Sequence, residues 1–480
     1  MASHCALTTG DLNTLRRLER LPMTWVQGRL LVLGGLGYTF DAMDASVVAF
    51  ILPPVTKLFG LDDGQTGLLG SSVLIGYLFG AFFAGTLGDR IGRRSVMMWA
   101  LGIYSIASVF AAFSPNWGFL FWSRVIAGFG TGAESAIVAP FLSEFIQSKY
   151  RGRYVGSLSG FFSFGFVFAA LLGYFIVPAG PSGWRIVQMI TAAPILMLLW
   201  WRRALPESPR WLIERGRSWE AEQVVAGMEA EVAKRVRGTL PSPDTVEMSG
   251  GSEPQGGSVF QNLRALWGRG FIRSTAMLWV LWLSITFSYY GFFTWIPSLL
   301  IKQGLTVTKS FGYSLVINVA TIPGFYSAAF LSEKLDRKWT IILYMIGGGI
   351  SAFFMSEARN GLIIMLFGVL MSFFMNGTYA CIYVYTPEVY PTAFRATGMG
   401  VASAVGRVGG IAAPIVIGLA YAHIGFDGVF TITTAVLLGG AIVVGVLGIK
   451  TSGKTLEQIT VEMRPSENNR GIAADHTVRL

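Results

Sequence analysis

The stretch GDRIGRR at residues 88–94 joins one long apolar segment to the next. A weaker copy of it, SEKLDRK, occupies residues 332–338, at an offset of 244 positions from 88 to 332. The same offset relates three further pairs of residues, which are Glu144 and Glu388, Arg151 and Arg395, and Gly156 and Gly400. One offset shared by several anchors indicates two copies of a single membrane unit, an organisation typical of secondary transporters.

The composition of the chain indicates a membrane protein. Hydrophobic residues make up 52% of it and charged residues only 13%, and the mean hydropathy is +0.54. A soluble protein of this composition would expose a large apolar surface. Because a helix needs roughly 20 apolar residues to cross a bilayer, we predict about twelve spans, at residues 27–53, 64–87, 94–114, 118–143, 153–178, 183–202, 271–298, 308–332, 338–357, 360–387, 395–420 and 424–448.

The predicted fold is therefore an all-α membrane protein with two pseudo-symmetric six-helix bundles. A change from apolar to polar composition marks the boundaries between the segments. The predicted segments are a cytoplasmic leader at 1–26, bundles at 27–202 and 271–448, a cytoplasmic linker with short helices at 203–270, and a cytoplasmic tail at 449–480. Within the linker, residues 218–236 have helical spacing, whereas residues 239–257 are rich in Pro, Ser and Gly and predict a flexible connection.

The distribution of Lys and Arg predicts the orientation. The links after spans 2, 4, 8 and 10 carry most of these residues, for example Arg94, Lys149 and Arg395. Cytoplasmic loops of membrane proteins are enriched in Lys and Arg, so we expect both termini in the cytoplasm and a multi-pass location in the plasma (inner) membrane. The same topology accounts for the formal charge of +10 without any nucleic-acid partner.

Cysteine and histidine are too scattered for a disulfide framework or a metal site. Cys5 lies in the polar leader, Cys381 lies in an apolar span, and the three histidines are far apart in the sequence. No nucleophile and base occur in a recognisable catalytic pattern. We therefore expect no metal, no cofactor and no enzyme activity.

The motif PESPRWL at residues 206–212 directly follows the sixth predicted span. Together with GDRIGRR, SEFIQSKYRGR at 143–153 and TPEVYPTAFRATG at 386–398, it resembles the sugar-porter-like branch of the major facilitator superfamily. The resemblance covers all of the chain except the leader, linker and tail. It implies the twelve-helix major facilitator fold and transport by alternating access.

Two further motifs resemble aromatic-acid/proton symporters and niacin-type carriers. FDAMD at 40–44 is similar to their two-aspartate motif on helix 1, with Ala42 in place of the usual glycine, and GRVGG at 406–410 is similar to their motif on helix 11. Sugar porters usually carry amide side chains on helices 5 and 7. The corresponding segments here, 157–174 and 281–297, contain no Asn or Gln.

Five ionisable residues fall well inside the predicted spans, namely Asp41, Asp44, Arg124, Glu134 and Arg407. A charge at the bilayer centre costs about 2.5–3.5 kcal/mol on insertion scales, and such residues are usually functional. From the helix rise of about 1.5 Å per residue, Asp44 and Arg124 lie at similar depth, which allows a salt bridge. The resemblance implies that these two residues form a proton-coupling pair.

Three carboxylates against two guanidinium groups leave this set one negative charge in excess, which a single proton would neutralise. Asp44 is the first candidate for the proton site, with Asp41 as the alternative, Arg124 as the switching partner and Glu134 as a further member. A static set of ion pairs that join helices is the alternative interpretation of these charges.

We predict that Arg407 receives an anionic substrate through a bidentate contact. Four polar or aromatic residues near mid-span are candidates for flanking a planar ring, namely Tyr289, Tyr290, Asn376 and Tyr379. For most aromatic residues of these helices, contact with lipid or anchoring at the membrane interface is the alternative role.

The charged links predict a cytoplasmic gate. Its candidate residues are Asp89, Arg90, Arg93, Glu144 and Arg151 in the first half and Glu333, Arg337, Glu388 and Arg395 in the second. Exposed ion pairs are individually worth only about 0–1 kcal/mol, so such a network would shift a balanced equilibrium. For Arg94 and Lys338 a role as simple topology determinants is the alternative, whereas gating is favoured for Asp89 and Glu144.

The leading functional prediction is proton-coupled uptake of a small organic anion, an aromatic or heteroaromatic carboxylate such as benzoate or nicotinate. The partners would be substrate, protons and the lipid bilayer, and we expect a monomer. Alternatives within transport are a sugar or polyol carrier and a metabolite efflux antiporter. A non-transporting membrane sensor is the alternative from a different class.

Overall fold

A computed structural model describes residues 8–236, 240–243, 259–268, 270–391 and 394–451. Most of the predicted flexible linker and the predicted tail beyond residue 451 lie outside this part of the chain. Within it the chain forms seventeen α-helices and no strand. The helices are α1 (Thr9–Glu19), α2 (Trp25–Phe59), α3 (Asp63–Ile91), α4 (Arg93–Ala112), α5 (Trp117–Ser143), α6 (Ser148–Phe175), α7 (Gly183–Thr191), α8 (Met197–Ala204), α9 (Pro209–Glu214), α10 (Ser218–Ala233), α11 (Val259–Leu266), α12 (Ile272–Lys302), α13 (Val307–Val319), α14 (Thr321–Leu335), α15 (Arg337–Glu357), α16 (Gly361–Val389) and α17 (Arg395–Leu447).

Eleven helical segments of the described residues are long and apolar enough to cross a membrane. The last of them, Thr397–Leu447, has 51 residues, which at about 1.5 Å per residue exceeds twice the roughly 30 Å of a hydrocarbon core. It therefore accounts for two crossings, and the total is the predicted twelve.

The predicted spans 395–420 and 424–448 are thus two helices that follow each other directly within α17, with a kink between them. The backbone departs from helical geometry at Gly425, where φ is 60° and ψ is −163°. A positive φ is readily adopted by glycine, since it has no Cβ. This single residue lets the chain change direction between the two crossings.

Two other predicted spans are interrupted near prolines. The span at 308–332 is divided between α13 and α14, and Pro323 lies in the first turn of α14. The span at 183–202 comprises α7, a short 3₁₀ segment that contains Pro194, and α8. Proline has no backbone N–H, so a position at the start of a helical segment is where it fits.

The helices form two compact units, the first comprising Met1–Asp62 with Leu69–Gly250 and the second Asp63–Leu68 with Gly251–Leu480. In the first unit α2 packs on α6 and α4 packs on α5. In the second unit α12 and α15 pack on α17, while α16 packs on α14 and α15. The domain boundaries inferred from composition stay a prediction.

Helices α3 and α5 approach each other closely through two pairs of glycines, each pair spaced four residues apart, namely Gly76 and Gly80 on α3 and Gly128 and Gly132 on α5. A Cβ at Gly76 would overlap the carbonyl oxygen of Val125, and one at Gly128 would overlap the carbonyl oxygen of Val73. In lipid, small residues at this spacing allow backbones to pack closely, and van der Waals contact then holds the helices together. The contact fixes α5, the helix that carries Arg124 and Glu134.

Outside the spans, α1 docks on α10 through charged side chains. Glu229 of α10 accepts a bond of 2.6 Å from Arg17 and one of 2.8 Å from Arg20. Burial alone would raise the pKa of the Glu229 carboxyl, but the hydrogen bonds from the two arginines outweigh it, and the pKa lies below its ordinary value of 4.5. A lowered folded-state pKa means that the interaction stabilises docking above pH 4.5 and is lost as the pH falls through the lowered value.

We expect Glu229→Gln to release α1 from α10 at neutral pH, at a cost of about 1 kcal/mol in docking free energy. Electron paramagnetic resonance distances between labels at the exposed positions Asn13 and Ala226 would measure this. In the unaltered chain the undocked population should grow only below pH 4.5, whereas in the variant it should be present at pH 7. Glu222→Gln is the matched control, because Glu222 is 61% exposed and its contact with Arg17 is 3.4 Å long. Identical distance distributions for Glu229→Gln and the unaltered chain at pH 7 would contradict the prediction.

Candidate functional site

The first part of the candidate site is an ion pair between α2 and α5. Asp44 and Arg124 are both fully buried. Arg124 donates from Nη1 to Asp44 Oδ1 at 2.9 Å and from Nη2 to Oδ2 at 3.0 Å, and Nη2 also reaches the Asp44 carbonyl oxygen at 2.5 Å. Bidentate contacts of this kind are the strong ones. The salt bridge between Asp44 and Arg124, which their similar depth in the helices allows, is therefore present.

Two neighbouring helices complete the surroundings of the pair. Ser108 of α4 donates to Asp44 Oδ1 at 2.9 Å. The Oε1 atom of Gln188 on α7 accepts from Arg124 Nη1 at 3.2 Å. Gln188 and Ser108 are absent from the sequence-based prediction. An amide inside the apolar span 183–202 is the signal that could have identified Gln188, whereas the serine has no distinguishing pattern.

Asp41 and Glu134 have quite different surroundings. Asp41 is 2% exposed and Glu134 is fully buried, and none of their carboxylate oxygens has a hydrogen-bond partner among the described residues. A Cβ at Gly37, one helical turn before Asp41, would overlap Glu134 Oε1, so the Glu134 side chain lies against α2 on the face that bears Asp41. The two carboxyl groups are close enough to repel each other when both are ionised.

Tyr104 of α4 adds a polar group to this region. Its Cβ and backbone nitrogen lie against Gly130 of α5, one turn before Glu134, and its hydroxyl interacts electrostatically with Glu134. Within the described residues, the buried hydroxyls of Tyr104 and Ser105 lack a hydrogen-bond partner of normal geometry. Buried polar groups normally have partners, so several buried oxygens without a normal hydrogen bond are unusual for a packed interior.

The second part of the candidate site lies in the second unit. Tyr289 of α12 is 4% exposed, with ring centroids of Tyr290 at 5.4 Å and of Tyr379 on α16 at 5.0 Å. Asn376 is hydrogen-bonded to Tyr289, and its Nδ2 donates to the Ser372 carbonyl oxygen at 2.9 Å. The structure thus brings together all four predicted ring-flanking residues.

Arg407 of α17 lies beside this aromatic cluster. Its side chain is half-buried and interacts electrostatically with Tyr379. The neighbouring Gly410 allows close packing, because a Cβ there would lie 2.8 Å from the ring of Tyr290. Trp282 extends the cluster, at 6.4 Å from Tyr379 and 5.3 Å from Tyr383, and is a member that the sequence-based prediction did not include.

The predicted gate residues of the first unit lie at the GDRIGRR turn. Arg93 pairs with Glu144, and Glu144 also accepts from the hydroxyl of Ser208. Asp89 contributes its backbone carbonyl, which accepts from Trp211 Nε1 at 3.0 Å. The remaining predicted residues differ in surroundings: Arg90 is exposed, and Arg151 Nε donates to the Ser143 carbonyl oxygen at 3.2 Å.

The second unit repeats the central pair. Arg337 Nε lies 3.3 Å from Glu388 Oε1, and these residues are the partners of Arg93 and Glu144 at the offset of 244. Arg395 Nε donates to the Tyr390 carbonyl oxygen at 3.3 Å, and Glu333 is exposed. The same charged pair therefore joins corresponding helices in both units.

Comparison with known proteins agrees with this architecture. Residues 38–463 match the family described as sugar (and other) transporter. The niacin transporter NiaP of Acinetobacter baylyi is 41% identical over 449 residues, which cover 93% of this chain and 100% of that protein. The putative niacin/nicotinamide transporter NiaP of Bacillus subtilis is 35% identical over 432 residues, which cover 90% of this chain and 98% of that protein.

Among solved structures, a partially occluded inward-open form of the xylose transporter XylE from E. coli is similar, with a TM-score of 0.72 at 18% sequence identity. The match covers 90% of this chain and 100% of XylE, and at that identity it establishes the fold alone. Taken with the family match and the relatives, it shows that the chain is a transporter of the sugar (and other) transporter family, within the major facilitator superfamily.

Proposed function

We propose that this chain is a proton-coupled secondary carrier that takes up nicotinate or a closely related aromatic carboxylate by alternating access. The observation that carries the proposal is the contrast between two sets of buried carboxyl groups. Asp44 is fully paired with Arg124, whereas Asp41 and Glu134 have no hydrogen-bond partner among the described residues. A buried acid without a counter-charge is a natural place to bind a proton.

The electrostatic cost of ionisation supports a proton at Asp41 or Glu134. A buried charge is expensive unless it is paired and hydrogen-bonded, and these two groups repel each other. One proton shared by the two would remove that repulsion. In this scheme Asp44 binds a proton only after its ion pair with Arg124 has separated. While that ion pair is formed, as it is in this structure, the first proton is bound by Asp41 or Glu134.

The substrate class follows from Arg407 and its aromatic neighbours. A planar guanidinium binds a carboxylate through two parallel hydrogen bonds, and the edges and faces of tyrosine rings attract another aromatic ring. Nicotinate has both a carboxylate and an aromatic ring. Niacin also appears in the names of two relatives, the niacin transporter NiaP and the putative niacin/nicotinamide transporter NiaP.

The remaining features complete the proposal. Both termini would lie in the cytoplasm of a bacterial cell, with the protein working as a monomer in the plasma membrane. The pairs Arg93–Glu144 and Arg337–Glu388 would stabilise the closed cytoplasmic side and separate when it opens. Each pair is partly exposed, so its contribution is small and reversible.

Uptake into proteoliposomes tests the proposed function. Radiolabelled nicotinate, benzoate, nicotinamide and glucose would each be offered with and without an inward proton gradient. We expect the gradient to drive accumulation of nicotinate and the other substrates to accumulate less. Glucose accumulation that carboxylates do not inhibit would overturn the substrate class, and nicotinate uptake that is indifferent to the gradient would overturn the coupling.

We expect Glu134→Gln and Asp41→Asn to uncouple transport from protons. An amide has nearly the shape of a carboxylic acid but cannot ionise, so the protonated state would be mimicked permanently. Gradient-driven accumulation should fall at least about tenfold, the effect of about 1.4 kcal/mol, while exchange of labelled for unlabelled nicotinate continues. Glu357→Gln, at an exposed position, is the matched control. Gradient-driven accumulation at the normal level in both site variants would refute the assignment.

A further inference from the structure

The turn that follows α14 has the same backbone conformation as the GDRIGRR turn but a different residue. Gly92 has φ 96° and ψ 146°, and Asp336, at the offset of 244, has φ 82° and ψ 147°. Asp336 is the only non-glycine residue with positive φ within the described ranges. A side chain costs free energy in this region of φ and ψ, so its presence calls for a compensating interaction.

In the first unit the space beside Gly92 is filled by another residue. A Cβ at Gly92 would overlap the carboxylate of Glu207, whose Oε1 accepts from the backbone N–H of Arg94 at 3.1 Å. Glu207 thereby caps the first turn of α4. It belongs to the segment that follows α8, so it joins the end of the first bundle to the turn.

In the second unit Asp336 supplies the cap itself. Its Oδ1 accepts from the backbone N–H of Lys338 at 2.8 Å, and Lys338 corresponds to Arg94 at the offset of 244. The other oxygen, Oδ2, accepts from the backbone N–H of Thr451 at 3.0 Å. Thr451 corresponds to Glu207 at the same offset. In both units, therefore, a carboxylate links the turn to the segment that follows the bundle. In the first unit this segment supplies it as Glu207, and in the second unit the turn supplies it as Asp336.

Two further contacts hold residues 448–451, which we call the tail strap. Lys338 Nζ donates to the Gly448 carbonyl oxygen at 2.9 Å. The Tyr385 hydroxyl donates to the Ile449 carbonyl oxygen at 2.9 Å and accepts from the Ile449 N–H at 3.0 Å. The tail strap thus contacts α15, α16 and the turn between α14 and α15.

We propose that Asp336 is a positioning residue of the gate, and that its bond to the tail strap holds the turn in the geometry that keeps Arg337 against Glu388. Arg337 is the next residue in the chain, and its guanidinium reaches Glu388 at 3.3 Å. The proposal rests on the gating role assigned above to that pair. The strained backbone is retained because Gly at this position would lose both the cap and the bond to the tail strap.

Cys381 provides a reporter for the state of this gate. It lies on α16, is 1% exposed, and its Sγ contacts the Ala328 carbonyl oxygen of α14 at 3.7 Å. Arg337 is near enough to interact with it electrostatically. Separation of Arg337 from Glu388 would loosen the contact between α14 and α16 and admit a thiol reagent.

The test compares two substitutions at Thr451 in a Cys5→Ala background. Thr451→Pro removes the N–H that donates to Asp336 Oδ2. Thr451→Ala keeps this N–H and deletes the γ-methyl group and a hydroxyl that has no hydrogen-bond partner in the described residues. We expect N-ethylmaleimide to label Cys381 about fivefold faster in Thr451→Pro, the factor that corresponds to one hydrogen bond of about 1 kcal/mol. Thr451→Ala should label at the unaltered rate. Equal rates in the two variants would overturn the proposal.

A second variant shows whether faster labelling of Thr451→Pro results from the lost hydrogen bond or from misfolding caused by proline. Asp336→Gly removes the backbone strain together with the carboxylate, so it should fold well and yet label as fast as Thr451→Pro. Slow labelling of a folded Asp336→Gly variant would also overturn the proposal. Because labelling needs neither substrate nor a proton gradient, its failure is distinguishable from failure of the proposed transport activity.

Discussion

Nicotinate uptake should be almost abolished in the Arg407→Leu variant. Leucine keeps the apolar packing of α17 but cannot bind a carboxylate. Loss of a charge-assisted bidentate contact worth about 3 kcal/mol corresponds to a decrease of roughly 100-fold in affinity. Initial rates of uptake over a wide range of nicotinate concentration would show the effect as a large rise in KM, with little transport at micromolar substrate.

Arg407→Lys is the informative comparison for this prediction. Lysine retains the positive charge but loses the planar fork that makes two parallel bonds, so we expect an intermediate KM. Neutral nicotinamide should be less affected than nicotinate in both variants, since it has no carboxylate. Normal nicotinate transport by Arg407→Leu would show that the substrate carboxylate is bound elsewhere.

The largest effect on stability should come from Arg124→Leu. The substitution leaves Asp44, which is fully buried, without its counter-charge, and breaking a buried pair in this way costs about 3–5 kcal/mol. We expect a marked fall in the thermal unfolding temperature in detergent together with loss of proton-driven uptake. A variant of unchanged unfolding temperature would indicate that water reaches Asp44 and solvates the unpaired charge.

A paired substitution separates stability from coupling. Asp44→Leu combined with Arg124→Met removes both charges and fills a similar volume, which is often neutral for stability. The double variant should therefore regain most of the unfolding temperature of the unaltered chain. Proton-driven accumulation of nicotinate should not return, because no pair remains to open and close. Recovery of both properties would mean that the Asp44–Arg124 contact only joins α2 to α5.

Much of the architecture could be predicted because the chain contains an internal repeat. The offset of 244 aligns Arg337 with Arg93 and Glu388 with Glu144, and each half of the chain contains the corresponding ion pair. Hydropathy located the spans, including both helices of α17, but it did not show that these two helices meet at a kink. The residues around Gly425 contain no proline and no polar cluster that would mark a loop.

The candidate site was predictable only where its residues are chemically rare. A charge inside an apolar span is conspicuous, so Asp44 and Arg124 were identified and even placed at matching depth. Gln188, an amide inside an apolar span, could have been identified in the same way. Ser108 and Tyr104 belong to the same surroundings but are ordinary residues in a helix, and their contribution depends on which face of α4 is turned toward α5, which tertiary packing decides.

The break at Gly425 has a consequence for how the last two crossings are assembled. Because only one non-helical residue separates them, the rotation of one helix about its axis determines which residues of the other helix face the bundle. Adding or deleting one residue there would turn one crossing by about 100° relative to the other, and the Arg407 face of the penultimate crossing would then point away from Tyr379. Loops elsewhere in the chain can change length without such a penalty. The number of residues between the two helices of α17 is therefore fixed by the packing of both helices.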